Sequence, residues 1–245
     1  MKTIDASNMH YRDLNAVVDA ESLKEKNLII KNVYGQRYIG RGLSCGIKMS
    51  VYGVAGNDMA SYMNGAELEV FGNAQDALGN TMNGGKVVVH GNAGDTLGYA
   101  MRGGQIYVEG NVGYRVGIHM KEYNDMKPII VVGGKAGDFL GEYMAGGVIL
   151  VLGLNLDKDE DIIGRFCATG MHGGVIYLRE KQDPYKFGKE ASKVKLEDSD
   201  ISFLKKQIGV YSKEFNKDLK HININSFSKY LAINKNPYAN MYCVY

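Results

Sequence analysis

The stretch Met82-Asn83-Gly84-Gly85-Lys86-Val87-Val88-Val89-His90-Gly91-Asn92-Ala93-Gly94-Asp95-Thr96-Leu97-Gly98 decides how the chain folds. Gly84-Gly85 follow Met82-Asn83, five residues come next with Val87 and Val89 in one phase, and a Gly-Asn step breaks the run before Leu97. Alternation over four residues is the signature of a half-buried strand. Gly and Asn fit the bends on either side because both tolerate positive φ at low cost.

The same unit recurs along the chain. Gly53, Gly72, Gly91, Gly110, Gly134 and Gly153 are separated by 19, 19, 19, 24 and 19 residues. Met63, Met82 and Met101 keep the same step, and Met144 and Met171 resume it after insertions. One strand phase is aliphatic throughout: Leu68/Val70, Val87/Val89, Ile106/Val108, Ile130/Val132, Ile149/Val151 and Ile176/Leu178. A second inward column is expected at Leu78, Leu97, Val116, Leu140 and Ile163. A bent 19-residue unit with aligned inward aliphatics describes one coil of a single-stranded, right-handed parallel β-helix, an all-β solenoid. About seven coils at a strand spacing of ~4.8 Å make a prism of roughly 35 Å. A leucine-rich-repeat horseshoe has repeats of similar length. It is disfavoured because Leu is sparse, glycine punctuates every unit and no helix fits within 19 residues. Asn73, Asn92 and Asn111 lie one coil apart and are expected to form a side-chain amide ladder along a corner. Five extra residues around Lys121 to Asp125 should widen one coil, and eight more are expected at 155–160 and near Arg165 to Gly170.

Composition agrees with a folded, regular architecture. Of 245 residues 32 are Gly and only 3 Pro; 30 of the glycines fall between Gly35 and Gly174. Collagen would need glycine at every third position and abundant proline. A disordered linker would lack this chain's 45% hydrophobic content. A net charge of +2 argues against a general nucleic-acid binder. Cys45, Cys167 and Cys243 form no C-x-x-C pair, so reduced thiols are expected rather than a disulfide framework or a zinc site. The sequence shows neither a leader nor an 18-residue apolar run, and a cytoplasmic protein without a membrane partner is the expectation.

Three regions follow: a polar entry or cap segment at 1–27, the parallel β-helix at 28–180, and a helical and extended tail at 181–245. The tail carries helical spacing at Ile201, Leu204, Ile208, Tyr211 and Phe215, behind Asp198-Ser199-Asp200 as N-cap candidates. A second short helix is expected over Ser226 to Leu231, and residues 236–245 read as extended. The outward strand phase is charged in the early coils but apolar later, at Ile129, Val131, Val148, Leu150, Leu152, Val175 and Tyr177. Such a column requires a cover. Either the chain's own 201–215 helix or a partner surface supplies it, so these seven residues are the candidate interface.

Signals for chemistry are weak. The repeated Gly-Asn steps are not a dinucleotide fingerprint, which occurs once between a strand and a helix. His10, His90, His119, His172 and His221 have no neighbour at metal-ligand spacing. Asp76, Asp95 and Asp138 occupy equivalent corners. A carbohydrate-active β-helix enzyme could use such a row, and turn chemistry explains it without catalysis. No catalytic, cofactor-binding or metal residue is assigned.

Several stretches resemble a known family, the C-terminal G-x-G-x-G domain of the glutamate synthase large (α) subunit. They are Met82 to Val89, Gly141-Glu142-Tyr143-Met144-Ala145-Gly146-Gly147-Val148 and Gly164-Arg165-Phe166-Cys167-Ala168-Thr169-Gly170-Met171-His172-Gly173-Gly174. In the tail Leu196 to Ile201 and Phe203-Leu204-Lys205-Lys206 are similar, and Phe227-Ser228-Lys229 with Pro237-Tyr238 more weakly so. A more distant similarity is to the β-helix subunit of formylmethanofuran dehydrogenase. The resemblance implies a non-catalytic structural subunit, without the glutaminase domain or the FMN and iron–sulfur domain. The complex would convert glutamine and 2-oxoglutarate to glutamate, with FMN and iron–sulfur clusters on partner chains. A homo-oligomer, or a scaffold for another oxidoreductase, is the alternative.

Overall fold

In the computed structural model, residues 1–154, 156–157 and 160–233 are described. The expected extension of 236–245 and residue Cys243 lie outside them.

Nine parallel strands and two antiparallel ones form a single sheet. The parallel run is β1 (Lys2–Asp5), β2 (Asn27–Tyr34), β3 (Lys48–Val54), β4 (Asn64–Phe71), β5 (Gly84–Val89), β6 (Gln105–Val108), β7 (Ile129–Val132), β8 (Ala145–Val151) and β9 (Gly173–Arg179). Each strand from β3 to β9 sits on the one a coil earlier; Val87 pairs with Leu68 and then with Ile106. A second ladder of single bridges joins Ala55, Ala74, Ala93, Val112, Ala136 and Ile163. These six positions, joined by five bridges, mark a parallel β-solenoid of about six turns, slightly fewer than the seven expected.

Each coil sends four columns inward. The strand aliphatics, the Ala55-to-Ile163 bridge column, a Leu-type column and a Met column share one core. Met63, Met82, Met101, Met120, Met144 and Met171 are all fully buried. Met120, absent from the expected series, lies 19 residues after Met101 and belongs to it. Burial of side chains this size stabilises by ~1.5–3 kcal/mol each, which holds together a coil with few hydrogen bonds of its own.

The register of the last coil differs from expectation. Ala168 N–H bonds Leu140 O just as Gly141 N–H bonds Val116 O. Cys167 is therefore the buried successor of Leu140, while Ile163 belongs to the bridge column. All eight extra residues enter before Ile162, and none falls at 165–170. Gly164 sits where Gly137 does one coil earlier, and its likeness to a later coil glycine shifts the expected register by four residues.

The corners are held by side chains from one coil reaching the next. Asn73 Oδ1 accepts the N–H of Asn92 at 2.9 Å, Asn92 Oδ1 that of Asn111 at 2.7 Å, and Asn111 Oδ1 that of Lys135 at 3.0 Å. The ladder thus runs from amide to backbone, not from amide to amide. Glycine is required beside it: a Cβ on Gly91 would meet Asn73 Oδ1 at 2.5 Å. A parallel ladder runs at the next bend. Asp76, Asp95 and Asp138 accept the N–H groups of Asp95, Tyr114 and Arg165, and a Cβ on Gly113 would fall on Asp95 Oδ1.

The two ends are finished differently. At the first coil α1 (Tyr11–Ser22) lays Leu14 and Val18 into the core beside Leu28 and Ile39. These residues are one helical turn apart, which puts both on the buried face. At the last coil β11 (Phe227–Ala232) pairs antiparallel with β9, and β10 (Ala191–Val194) pairs antiparallel with β11. The helix expected over Ser226 to Leu231 is therefore a strand. The open edge of β9 offers a full row of backbone partners, and that outweighs weak local propensity.

Candidate functional site

The candidate interface column lies under the chain's own helix. Helix α2 (Asp198–Glu214) starts at the capping box of Glu197 and Asp200, one residue ahead of the expected cap. Its Leu204, Ile208 and Tyr211, with Phe215, pack on Val88, Tyr107, Ile129, Val131, Val148, Leu150, Leu152 and Tyr177 in one buried cluster. Val175 is partly buried against the same cluster. Of the two covers open for this column, the intramolecular one is found, and the seven residues are not a free partner surface.

Polar groups fix the helix in place. Tyr107 Oη donates to Gln207 Oε1 at 2.7 Å, and Tyr211 Oη donates to the Glu109 carbonyl at 2.8 Å. Asp200 joins three elements: its carboxylate accepts from Tyr177 Oη at 2.5 Å, the Glu197 amide at 2.7 Å and Lys229 Nζ at 2.8 Å. Burial alone would raise the Asp200 carboxyl. The hydrogen bonds from Lys229, Tyr177 and Glu197 outweigh it and hold the carboxyl below the usual range. Burial pushes the Tyr177 hydroxyl up, and its bond to Asp200 adds to the shift. Sequence spacing could not join Tyr177, Asp200 and Lys229, because they stand on a strand, a helix and a later strand.

The groups that could carry chemistry are otherwise engaged. The Asp76, Asp95 and Asp138 carboxylates accept backbone N–H groups. His90 stacks on Phe71 with ring centres 4.8 Å apart, meets Phe215 edge-on and lies 2.9 Å from Glu69 Oε1. It therefore joins the early coils to the end of α2. His119 stacks on Tyr143. Burial pushes the Cys167 thiol well up, which suits a core residue rather than a nucleophile. Among the described residues no three His, Cys, Asp or Glu side chains are grouped to hold a metal ion. An iron–sulfur cluster needs four thiolates or their equivalent. With Cys45 exposed, Cys167 in the core and three cysteines in all, this chain does not fit one.

A groove lies at the last coil, beside β10 and β11. Phe187 and Tyr230 stack there with ring centres 4.2 Å apart. With Pro184 and Ala191 they floor the groove, of about 300 Å³, and Lys181, Lys189 and Lys193 rim it. Among the described residues no carboxylate lies within 4.0 Å of these three ammonium groups. No helix among the described residues is long and apolar enough to cross a membrane.

Comparison with known proteins gives two findings. The family model described as the GXGXG motif matches residues 16–235. An uncharacterized protein of Methanocaldococcus jannaschii is 42% identical over 250 residues, covering 98% of this chain and 95% of that protein.

Proposed function

This chain belongs to the GXGXG motif family, that of the C-terminal domain of the glutamate synthase large subunit, and from that membership we propose that it is a non-catalytic assembly subunit of a glutamate synthase-like complex. In this role it braces partner chains that hydrolyse glutamine and reduce the adduct of ammonia with 2-oxoglutarate to glutamate. FMN and iron–sulfur clusters reside on those partners, in the cytoplasm.

The observation that carries the proposal is the match of the GXGXG family to residues 16–235, most of the chain. The use of the corner aspartates and His90 supports it. They bond one coil to the next, and a rigid prism with sealed corners suits a brace better than a catalyst.

Reconstitution tests the role. Glutaminase and FMN-bearing chains from the same cell are combined with and without this chain, and glutamate formation from glutamine and 2-oxoglutarate is followed. Coupled activity that depends on the chain, with co-elution of all components, is expected. Full coupled activity in its absence, with the chain eluting alone, would sink the proposal.

A further inference from the structure

The two exposed ends of a solenoid are where its core and its strand edges meet solvent. At the first, α1 closes the core, and β1 ends the sheet. At the last, β10 is the terminal strand of the sheet, and among the described residues its outer edge has no strand partner. Ala191 and Lys193 alternate along β10 on the side that faces the Phe187–Tyr230 groove. The edge, the apolar floor and three ammonium groups without a carboxylate partner among the described residues therefore converge at one place.

We propose that this end docks an extended acidic segment of a partner chain, which adds a strand to β10 and seats an apolar side chain on Phe187 and Tyr230. The proposal rests on the assembly role above and names the surface through which it is exercised. Strand addition satisfies the outer backbone groups of β10, which have no strand partner among the described residues, and alternate side chains of the added strand fall over the groove. Charge selects the occupant. Pairing β10 with β10 of a second copy would bring Lys193 and its neighbours Lys189 and Lys195 against like charges. Glu190, the acidic residue of this stretch, turns away to accept the Gly170 N–H at 3.2 Å. The chain's own residues 234–245 contain Lys235 and no Asp or Glu, so they lack the complementary side chains.

Two measurements on the full chain test this. The first follows the anisotropy of a fluorescein-labelled heptapeptide in which Glu alternates with Val around one Phe, beside the same peptide carrying Lys for Glu. Saturable binding of the acidic peptide only is expected. It should weaken about tenfold in Lys189→Glu/Lys193→Glu, and also as salt rises from about 0.05 to about 0.5 M. Equal binding of both peptides, or of the acidic peptide to both proteins, overturns the proposal. So does binding that appears only in a chain ending at Ile233, because the occupant is then the chain's own tail. The second measurement is co-purification with the flavin-bearing partners. Loss of the complex in the double variant, with an unchanged thermal transition, supports the proposal. An intact complex overturns it and leaves the assembly role standing; no complex with either protein removes the assembly role itself.

Discussion

The two ends of the solenoid solve one problem with different chemistry. At the first, a helix inserts apolar side chains: Leu14 and Val18 are at most 1% exposed, and β1 continues the parallel sheet. At the last, the sheet turns antiparallel, and the junction of β9, β11 and α2 is pinned by ionised groups around Asp200. An apolar seal is indifferent to pH. An ion-pinned end with a lysine-rimmed groove is sensitive to pH and can admit a partner. The contrast teaches that a solenoid can close its core with an apolar helix at one end and with an ion-pinned sheet junction at the other.

Removing one member of the buried network should break the contrast most sharply. Lys229→Met leaves Asp200 charged and buried, at a cost of about 3–5 kcal/mol. Hydrogen exchange should speed in β11 and β10 while the β1 and β2 amides stay protected; uniform loss of protection would mean that the two ends are not independent. Leu14→Ala is the mirror experiment. It should cost about 2–4 kcal/mol through the cavity it leaves, with exchange rising at β1 and β2 instead.

Acid should sharpen the difference further. The Asp200 carboxyl is held below its unfolded value, so its contribution is complete above the ordinary carboxylate pKa of about 4. It is lost as pH falls through the lowered folded value. The gap in denaturation midpoint between wild type and Asp200→Asn should therefore narrow below about pH 4, whereas the Leu14→Ala gap stays constant. A gap for Asp200→Asn that does not change with pH would contradict the ionised pin. The smallest effect belongs to the rim: Lys189→Glu with Lys193→Glu should shift stability by less than about 0.5 kcal/mol, because both side chains are exposed. A larger loss in a urea titration would make the lysines part of the cap and not of a docking edge.

The repeat was legible because it is written in residue types with few structural options. Gly91 and Asn92 must recur where Asn73 passes over the next coil, so the 19-residue register could be read directly. It failed in the last coil because Ala168, with φ of 59°, stands at the glycine position that would have kept the count. Two turns per coil place non-glycine residues in the left-handed region, one at Tyr38, Asp58, Ala77, Thr96, Arg115, Phe139 and Phe166, the other at Tyr62, Thr81, Ala100, His119 and Tyr143. Their residue types share nothing, because the stacking of coils imposes the conformation at a cost local sequence does not advertise. The apolar outer column was readable as needing a cover, and so was the amphipathic spacing of α2 that provides it. The end groove was not readable. It joins Lys181, Lys189 and Lys193 to Tyr230 through a strand that local sequence presented as a helix.

Native mass spectrometry of the tagged chain drawn from its own cell tests the assembly role most directly. The expected result is a particle containing the 26.9 kDa chain together with chains that carry FMN and hydrolyse glutamine. A spectrum showing only the 26.9 kDa species or its multiples, at native concentrations, would contradict it.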